Sequence, residues 1–455
     1  MNFIDSGIRR NDSRKRYMSP KRKFSHFNLD NGIEVVVYPI KEVEAVSIQV
    51  AMLAGSSSED EDKVGTLHFL EHLLFQGSKK YPTQMDVALN FEEIGASHDA
   101  SVSALDTKFW FFAPDSKVKE ALENAYEMIS NPIFPDRAIE NSRQVILTEQ
   151  QDFWDIPENQ FRNGYIKARW GEKHPYTRVG FGEKNVVAAL DKEKIWETYN
   201  RYFIPPNFKI AIAGNIDEEM AQNLLNNTFG SWKKDGKVIK DNDLRLEKIN
   251  PTYYIFNQPR KQVNIGISFS MKGQKDYDIK KLLSLGVLSF LVGGGFTSVL
   301  YQRLREELGL VYSIWTVRSI WPYVGSFDVV GKTSTENLKV SMDEIFNTLD
   351  GIKKNGFKES DFRRAINYLN MNSKMHFSDP RKIADYFLGL MLDELEMYVP
   401  EDYIRIANSI KISEINELAQ EVFDFKSMGM GLMGDEKLIL ESGVKNIYGQ
   451  LTSIQ

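Results

Sequence analysis

The stretch Gly65-Thr-Leu-His-Phe-Leu-Glu-His-Leu-Leu-Phe-Gln-Gly77 reads as one short helix with two different faces. At about 100° per residue, His68, Glu71 and His72 fall within one arc of roughly 100°, while Leu67, Leu70 and Leu74 recur at helical spacing on another. One face carries chemistry and the other packs. Histidines at i and i+4 can share one tetrahedral Zn²⁺, and a glutamate between them that is not a ligand can take a proton from water at the metal. His-x-x-Glu-His is the inverted form of the zinc-peptidase motif. The plainer alternative is a polar helix face with two solvated histidines, and only the surrounding chain separates the two.

With 455 residues the chain is too long for one ordinary core and divides into two to four domains. Hydrophobic content of 42% and charged content of 26% describe a soluble globular protein. A net charge of -6 and a pI near 5.7 argue against a nucleic-acid partner. The absence of cysteine removes disulfides, thiolate zinc sites and cysteine nucleophiles, so any zinc is held by histidine and carboxylate. The longest apolar stretch, Leu282 to Phe296, is broken by Gly293, Gly294 and Gly295 and is too short to span a bilayer. No membrane partner is expected, and the location expected is cytoplasmic, with an organellar matrix as the alternative. Residues 1–23 are rich in Arg and Lys without an apolar core, which reads as a disordered leader rather than a secretory signal.

Upstream of the motif, Phe24 to Pro39 is a hairpin signal turning at Asn31-Gly32, and Val46 to Leu53 alternates as a strand. The acidic run Glu59 to Asp62 reads as a solvated loop. Downstream, a second helix runs to Ile94 and stops at Gly95, and a hairpin pairs Ser97–Ala104 with Thr107–Ala113 around Leu105-Asp106. The first of these strands is small and polar, suited either to a solvated edge or to an edge that adds a peptide by main-chain pairing. Helices follow from Pro114 to Ile129, from Pro135 to about Phe153 and from Pro157 to Trp170. A carboxylate on a separate helix would complete a three-ligand catalytic zinc site, and Glu140, Glu149, Asp152 and Glu158 are all available for it. Within Val145-Ile-Leu-Thr-Glu149, Val145, Ile146 and Glu149 share one side, so Glu149 can sit on an inward-packed helix. A strand at Phe208–Ala213 and a helix to Phe229 close this half, and the charged stretch Trp232–Asn250 reads as a linker.

The second half repeats the first. Setting Phe134 on Phe357, 223 positions apart, aligns a strand and two helices of one half with a strand and two helices of the other. The second copy has a helix signal near Leu282–Leu291 but no histidine there, so the metal site is single. Its own chemistry falls in Gly293 to Tyr312, where a glycine run allows close backbone approach and a helix follows to Gly309. Arg305 offers a fork of donors and Tyr312 a phenol, suited to gripping a peptide carbonyl or a developing oxyanion. A surface ion-pair network among Arg303, Arg305, Glu306 and Glu307 is the plainer alternative.

Taken together, His68-Phe-Leu-Glu-His-Leu-Leu-Phe-Gln-Gly-Ser78, Arg143-Gln-Val-Ile-Leu-Thr-Glu149, His174-Pro-Tyr-Thr-Arg-Val-Gly-Phe-Gly182 and the Gly293–Tyr312 segment resemble the pitrilysin and mitochondrial-processing-peptidase type of inverted-motif zinc metallopeptidase, in its short bacterial form, over roughly residues 24–435. The resemblance implies one Zn²⁺ per chain held by His68, His72 and Glu149, with Glu71 as general base. It implies that Arg305 and Tyr312 bind substrate backbone and that the strand Ser97–Ala104, with Asp99 and Ala100, receives the peptide. The family usually has Asn where Asp99 stands and often Glu where Ser142 stands, and a carboxylate cannot donate as an amide does. The fold implied is α+β, two homologous halves, each a mostly antiparallel sheet covered by helices, closing as a clamshell and assembling as a homodimer. The expected division is residues 24–231 for the zinc-binding half, 232–250 for the linker and 251–455 for the substrate-clamping half. The function expected is zinc-dependent endopeptidase action on peptides or unfolded segments. The alternatives are a non-catalytic scaffold and one subunit of a heterodimeric processing peptidase.

Overall fold

Two β-sheets organise the computed structural model, which describes residues 24–239, 243–246, 249 and 251–453; the expected leader 1–23 and part of the expected linker lie outside these. In the first half, β1 (Ser25–Asn28) and β2 (Glu34–Pro39) form the expected hairpin, with Gly32 at φ +91° in the turn. They are followed by β3 (Ala45–Met52), β4 (Ser97–Val102), β5 (Thr107–Pro114) and β6 (Phe208–Gly214). The spatial order is β1-β2-β6-β3-β5-β4, antiparallel throughout except for the β2–β6 pair. The second half contributes β7 (Thr252–Asn257), β8 (Gln262–Lys272), β9 (Val311–Ile320), β10 (Val324–Ser334) and β11 (Gly429–Gly434). Their order is β7-β11-β8-β10-β9, with β7–β11 the parallel pair.

Without β1 the two orders coincide strand for strand, including the place of the parallel pair. The helices obey the same register, since Asp136–Trp154 and Glu359–His376 begin 223 positions apart. The fold is therefore a duplicated α+β unit. β4 and β9 occupy equivalent edges of the two sheets.

Each sheet is covered on one face by helices of its own half and on the other by a helix borrowed from its partner half. On the first sheet Ile48, Val50, Phe109 and Phe111 share a core with Leu67, Leu70 and Leu74 of the motif helix. The opposite face presents Val36, Ala51, Ala211 and Ala213, and onto these small residues packs the helix Pro380–Leu392 through Ile383, Ala384, Phe387 and Leu388. Burying Phe387 to 1% exposure alone contributes about 2–3 kcal/mol of hydrophobic stabilisation. Reciprocally, the helix Pro157–Trp170 lies against β7 and β11. Gly429 and Gly431 of β11 make room for it: a Cβ at Gly429 would stand 2.1 Å from Arg169 Nη1, and one at Gly431 2.9 Å from the Tyr165 ring. The two borrowed helices begin at Pro157 and Pro380, again 223 apart, so the exchange is part of the repeat.

Two expectations change here. The stretch 232–250 is not a free linker where it is described, because Trp232 is buried in the first core and Leu244, Leu246 and Ile249 pack with Trp170, Tyr176 and Trp321 along the seam. The helix after the glycine run is a π-helical segment, Tyr301–Glu307, whose wide winding shows in the Leu308 N–H donating to Arg303 O at 3.2 Å. Such wide turns recur at functional sites.

Candidate metal centre

The helix Thr66–Leu74 is short, and its start is fixed from outside. Gly65 precedes it at φ +102°, a conformation that glycine tolerates, and offers no side chain to cap the first turn. Glu59 supplies the cap: Oε2 accepts the Gly65 N–H at 3.0 Å and Oε1 the Leu67 N–H at 2.8 Å. Glu59 is 4% exposed, so the reading of Glu59–Asp62 as a solvated loop fails at its first residue. Burial pushes its carboxyl up to about 8 against the lowering effect of the Gly65, Leu67 and Thr66 N–H groups and of Arg178. Arg178 Nη1 in turn donates to the Glu59 carbonyl at 2.6 Å, which ties the segment His174–Gly182 to the helix start. Gly182, at φ +69°, lies so close that a Cβ there would come 1.9 Å from Val64 O.

On the helix's polar face, the ring centroids of His68 and His72 stand 4.7 Å apart. Glu149, on the helix Asp136–Trp154, brings Oε2 to 3.8 Å from His68 Nε2 and 3.4 Å from His72 Nε2. Ligand atoms of the three residues all lie within 4.8 Å of one another. In a tetrahedral zinc site with bonds of about 2.0–2.1 Å, neighbouring ligand atoms are about 3.3 Å apart, so two imidazoles and a carboxylate at these separations fit a zinc ion with small adjustments. Glu71 Oε2 stands 3.9 Å from both imidazole nitrogens, beyond hydrogen-bond range but facing the same point.

The electrostatics suit a metal. Burial, then His72, holds the His68 ring down to about 4, so it stays neutral and able to ligate. Burial lowers His72 as well, with Glu149 acting the other way. Glu71 is pushed up to about 7 by burial, then by the charges of Asp99 and Glu149. Ser142, two turns before Glu149, is buried at 3% exposure, and its Oγ, like His68 Nδ1, has no hydrogen-bond partner among the described residues.

Of the other residues singled out in the sequence, Asp99 and Ala100 lie on β4, the edge strand of the first sheet, whose residues alternate between exposed and half-buried. Asp99 is near enough to Glu71 to act on its proton affinity. Arg305 and Tyr312 come together across the π-helical segment: Arg305 Nη1 donates to the Tyr312 carbonyl and lies over the Tyr301 ring. Tyr312 is 55% exposed. The ion-pair alternative applies to Arg303, bonded to Glu307 and Glu344 at 3.1 Å, whereas Arg305 has no ion pair among the described residues. A cavity of about 330 Å³ opens beside His68, walled by Phe153, Ile166, Tyr176 and Phe181 with Arg162 and Asn163 among its polar lining.

Glu59, Arg178 and Gln150 are structural parts of the site that sequence reasoning missed. Gln150, next to Glu149, donates to Phe181 O at 2.8 Å and clamps the Glu149 helix to the same loop that Arg178 holds. The only sequence signal for Glu59 was an acid six residues ahead of a glycine-started helix, a spacing that no local capping rule covers.

Residues 35–177 match the family described as insulinase (peptidase family M16), and residues 189–369 match the peptidase M16 inactive domain. A Rickettsia felis protein named uncharacterized zinc protease is 25% identical over 406 residues, covering 89% of this chain and 96% of its own. A Bacillus subtilis protein of similar name is 24% identical over 410 residues, with 87% and 95% coverage. Among solved structures, a protease from Helicobacter pylori aligns with a TM-score of 0.81 at 19% identity, covering 90% of this chain and 99% of that one. The periplasmic protease PqqL of Escherichia coli aligns with a TM-score of 0.81 at 18% identity, covering 96% of this chain and 51% of its own.

Proposed function

The chain belongs to the insulinase, or M16, family of peptidases as a short member of the bacterial type, and from that premise we propose that it is a zinc-dependent endopeptidase acting on peptides or unfolded segments. The observation that carries the reading is the convergence of His68, His72 and Glu149 from two helices on one point that Glu71 also faces. A Zn²⁺ held by those three residues would supply Lewis acidity towards the scissile carbonyl and acidify water beside it.

In this reading Glu71 takes a proton from the attacking water and passes it to the departing amine, so one peptide bond and one water become a carboxylic acid and an amine, which settle as carboxylate and ammonium. A carboxyl raised towards neutrality by burial suits both halves of that exchange better than an ordinary glutamate. β4 receives the substrate main chain, Arg305 and Tyr312 grip it from the second half, and the cavity beside His68 takes a side chain. Both the motif and the Arg305–Tyr312 pair are present in one chain, which favours a homodimer over a heterodimer; sedimentation equilibrium returning a monomer mass would remove that element.

Glu71→Gln is expected to keep one zinc per chain while cleavage of a quenched peptide falls by a factor of about 10²–10⁴. Cleavage by the variant at the wild-type rate, or gently purified wild type without zinc, would overturn the proposal.

A further inference from the structure

The register of β4 shows which of its main-chain groups face outwards. The Ser103 N–H donates to Asp106 O at 2.8 Å, which makes Ser103–Asp106 a hydrogen-bonded pair. In an antiparallel ladder such pairs alternate with non-bonded ones. Following the register back, Ser101–Lys108, Asp99–Trp110 and Ser97–Phe112 are bonded pairs, and His98, Ala100 and Val102 turn their N–H and C=O groups to the open edge. At the middle of that edge the Ala100 N–H is already occupied, because Asp99 Oδ1 accepts it at 2.9 Å. The docking strand thus caps its own central donor with a carboxylate.

That carboxylate has no ion pair among the described residues. Lys108, the nearest cation on the same face of β5, is engaged with Asp385 at 3.4 Å. Trp110, directly across from Asp99, is half-buried and has no ring or cation contact among the described residues, so an aromatic side chain stands on the same face beside an unpaired charge. A strand added along β4 places one of its side chains opposite Asp99, where cross-strand partners approach to about 5 Å. A lysine or arginine there meets the carboxylate and lies beside the Trp110 ring, and it draws Asp99 away from the Ala100 N–H, which the peptide carbonyl then takes.

We propose that Asp99 sets the substrate class: the edge admits extended peptides carrying a lysine or arginine at the one position opposite Asp99, ahead of peptides with a neutral or acidic residue there. The proposal rests on the reading of β4 as the peptide's docking edge and adds to it a selectivity that the neutral amide usual in the family would not impose.

The test walks a single lysine, glutamine or glutamate along an otherwise neutral fluorescent peptide. Binding to the zinc-loaded Glu71→Gln protein is followed by anisotropy and cleavage by the wild type in parallel. At one position lysine should bind about two- to fivefold more tightly than glutamine, and glutamate more weakly, with the difference shrinking in high salt. Asp99→Asn retains an oxygen for Ala100 and should lose the charge preference. Asp99→Ala also frees the donor and should bind the glutamine peptide about two- to tenfold more tightly than wild-type Asp99 does. A flat lysine scan, or a preference that survives in Asp99→Asn, would overturn the proposal. Cleavage without the lysine preference removes this proposal alone, the preference without cleavage removes only the peptidase reading, and neither binding nor cleavage removes both.

Discussion

Glu59→Ala tests the cap on the motif helix. The substitution leaves the Gly65 and Leu67 N–H groups, now bonded at 3.0 and 2.8 Å, without acceptors at a buried helix start. Each buried donor left unsatisfied costs about 1–3 kcal/mol, and loss of a helix N-terminal cap typically about 1 kcal/mol, so a local loss of about 2–4 kcal/mol is expected. The pH dependence has a definite sign. The Glu59 carboxyl is raised from 4.5 to about 8 in the folded protein, so between those values the unfolded chain has lost its proton while the folded one keeps it. The contribution of Glu59 to stability is then fully present below pH 4.5 and declines by about 1.4 kcal/mol per pH unit up to about pH 8. The penalty of Glu59→Ala, about 2–4 kcal/mol when full, should be largest at or below pH 4.5, be gone by about pH 6–7.5 and reverse above that. Amide hydrogen exchange of Gly65–Phe69 reads this locally: protection relative to wild type should fall by about 30- to 1000-fold at pH 4.5, by less at pH 5 and not at all by about pH 7.5. Glu59→Gln, uncharged but with an acceptor oxygen, should lose less at pH 5. Wild-type protection in Glu59→Ala at pH 5, or a penalty that does not shrink with pH, would refute the reasoning.

Glu149→Gln should leave the fold intact, because the side chain is 43% exposed and substitutions at such positions usually change stability by no more than about 0.5 kcal/mol. Metal analysis should nonetheless show zinc per chain falling well below one, and full retention would mean that Glu149 is not a ligand. Gly429→Ala forces a Cβ to within 2.1 Å of Arg169 Nη1 and 2.6 Å of the Tyr165 hydroxyl, an overpacking expected to cost about 1–3 kcal/mol. Thermal unfolding should show a lowered midpoint that is partly restored in an Arg169→Ala background, and additive effects in the double variant would count against the contact.

The motif helix and the internal repeat were legible because both are local: helical spacing fixes the first and a constant offset of similar segments the second. The choice of Glu149 among four acids was not, because it depends on what each carboxylate meets in space. Glu140 is engaged by Arg143 at 3.0 Å and Glu158 by Arg260 at 3.1 Å, and of the four acids it is Glu149 whose carboxylate groups with both histidines, 3.8 Å from His68 Nε2 and 3.4 Å from His72 Nε2. Charge-run reasoning misplaced Glu59 because composition cannot distinguish an acid that lies in water from one that turns back under a helix. The exchanged helices were hidden for a related reason. Their amphipathic pattern is that of any surface helix, and the complementary signal, small residues at Ala211, Ala213, Gly429 and Gly431, is spread over strands more than 200 positions apart.

That exchange bears on the metal centre. The helix that carries Glu149 ends at Trp154, and after only Asp155 and Ile156 the chain enters the helix Pro157–Trp170 that packs on the second sheet. Gln150 and Arg178 hold the Glu149 helix and the motif helix to one loop, and Tyr176 of that loop stacks on Trp321 of the second half at 4.9 Å. Glu149, the proposed third ligand, and the loop that braces the helix of His68 and His72 are therefore both fastened to the half that carries Arg305 and Tyr312. Repacking of that seam is expected to disturb the seating of Glu149, whose Oε2 stands 3.8 and 3.4 Å from the His68 and His72 Nε2 atoms. The Gly429→Ala substitution, remote from the metal in sequence, should accordingly speed zinc loss to a chelator, whereas Val340→Ala, at a 50% exposed position on the outer face of its helix, should not. Equal chelation rates for the two variants would show that the halves do not communicate through the exchanged helix.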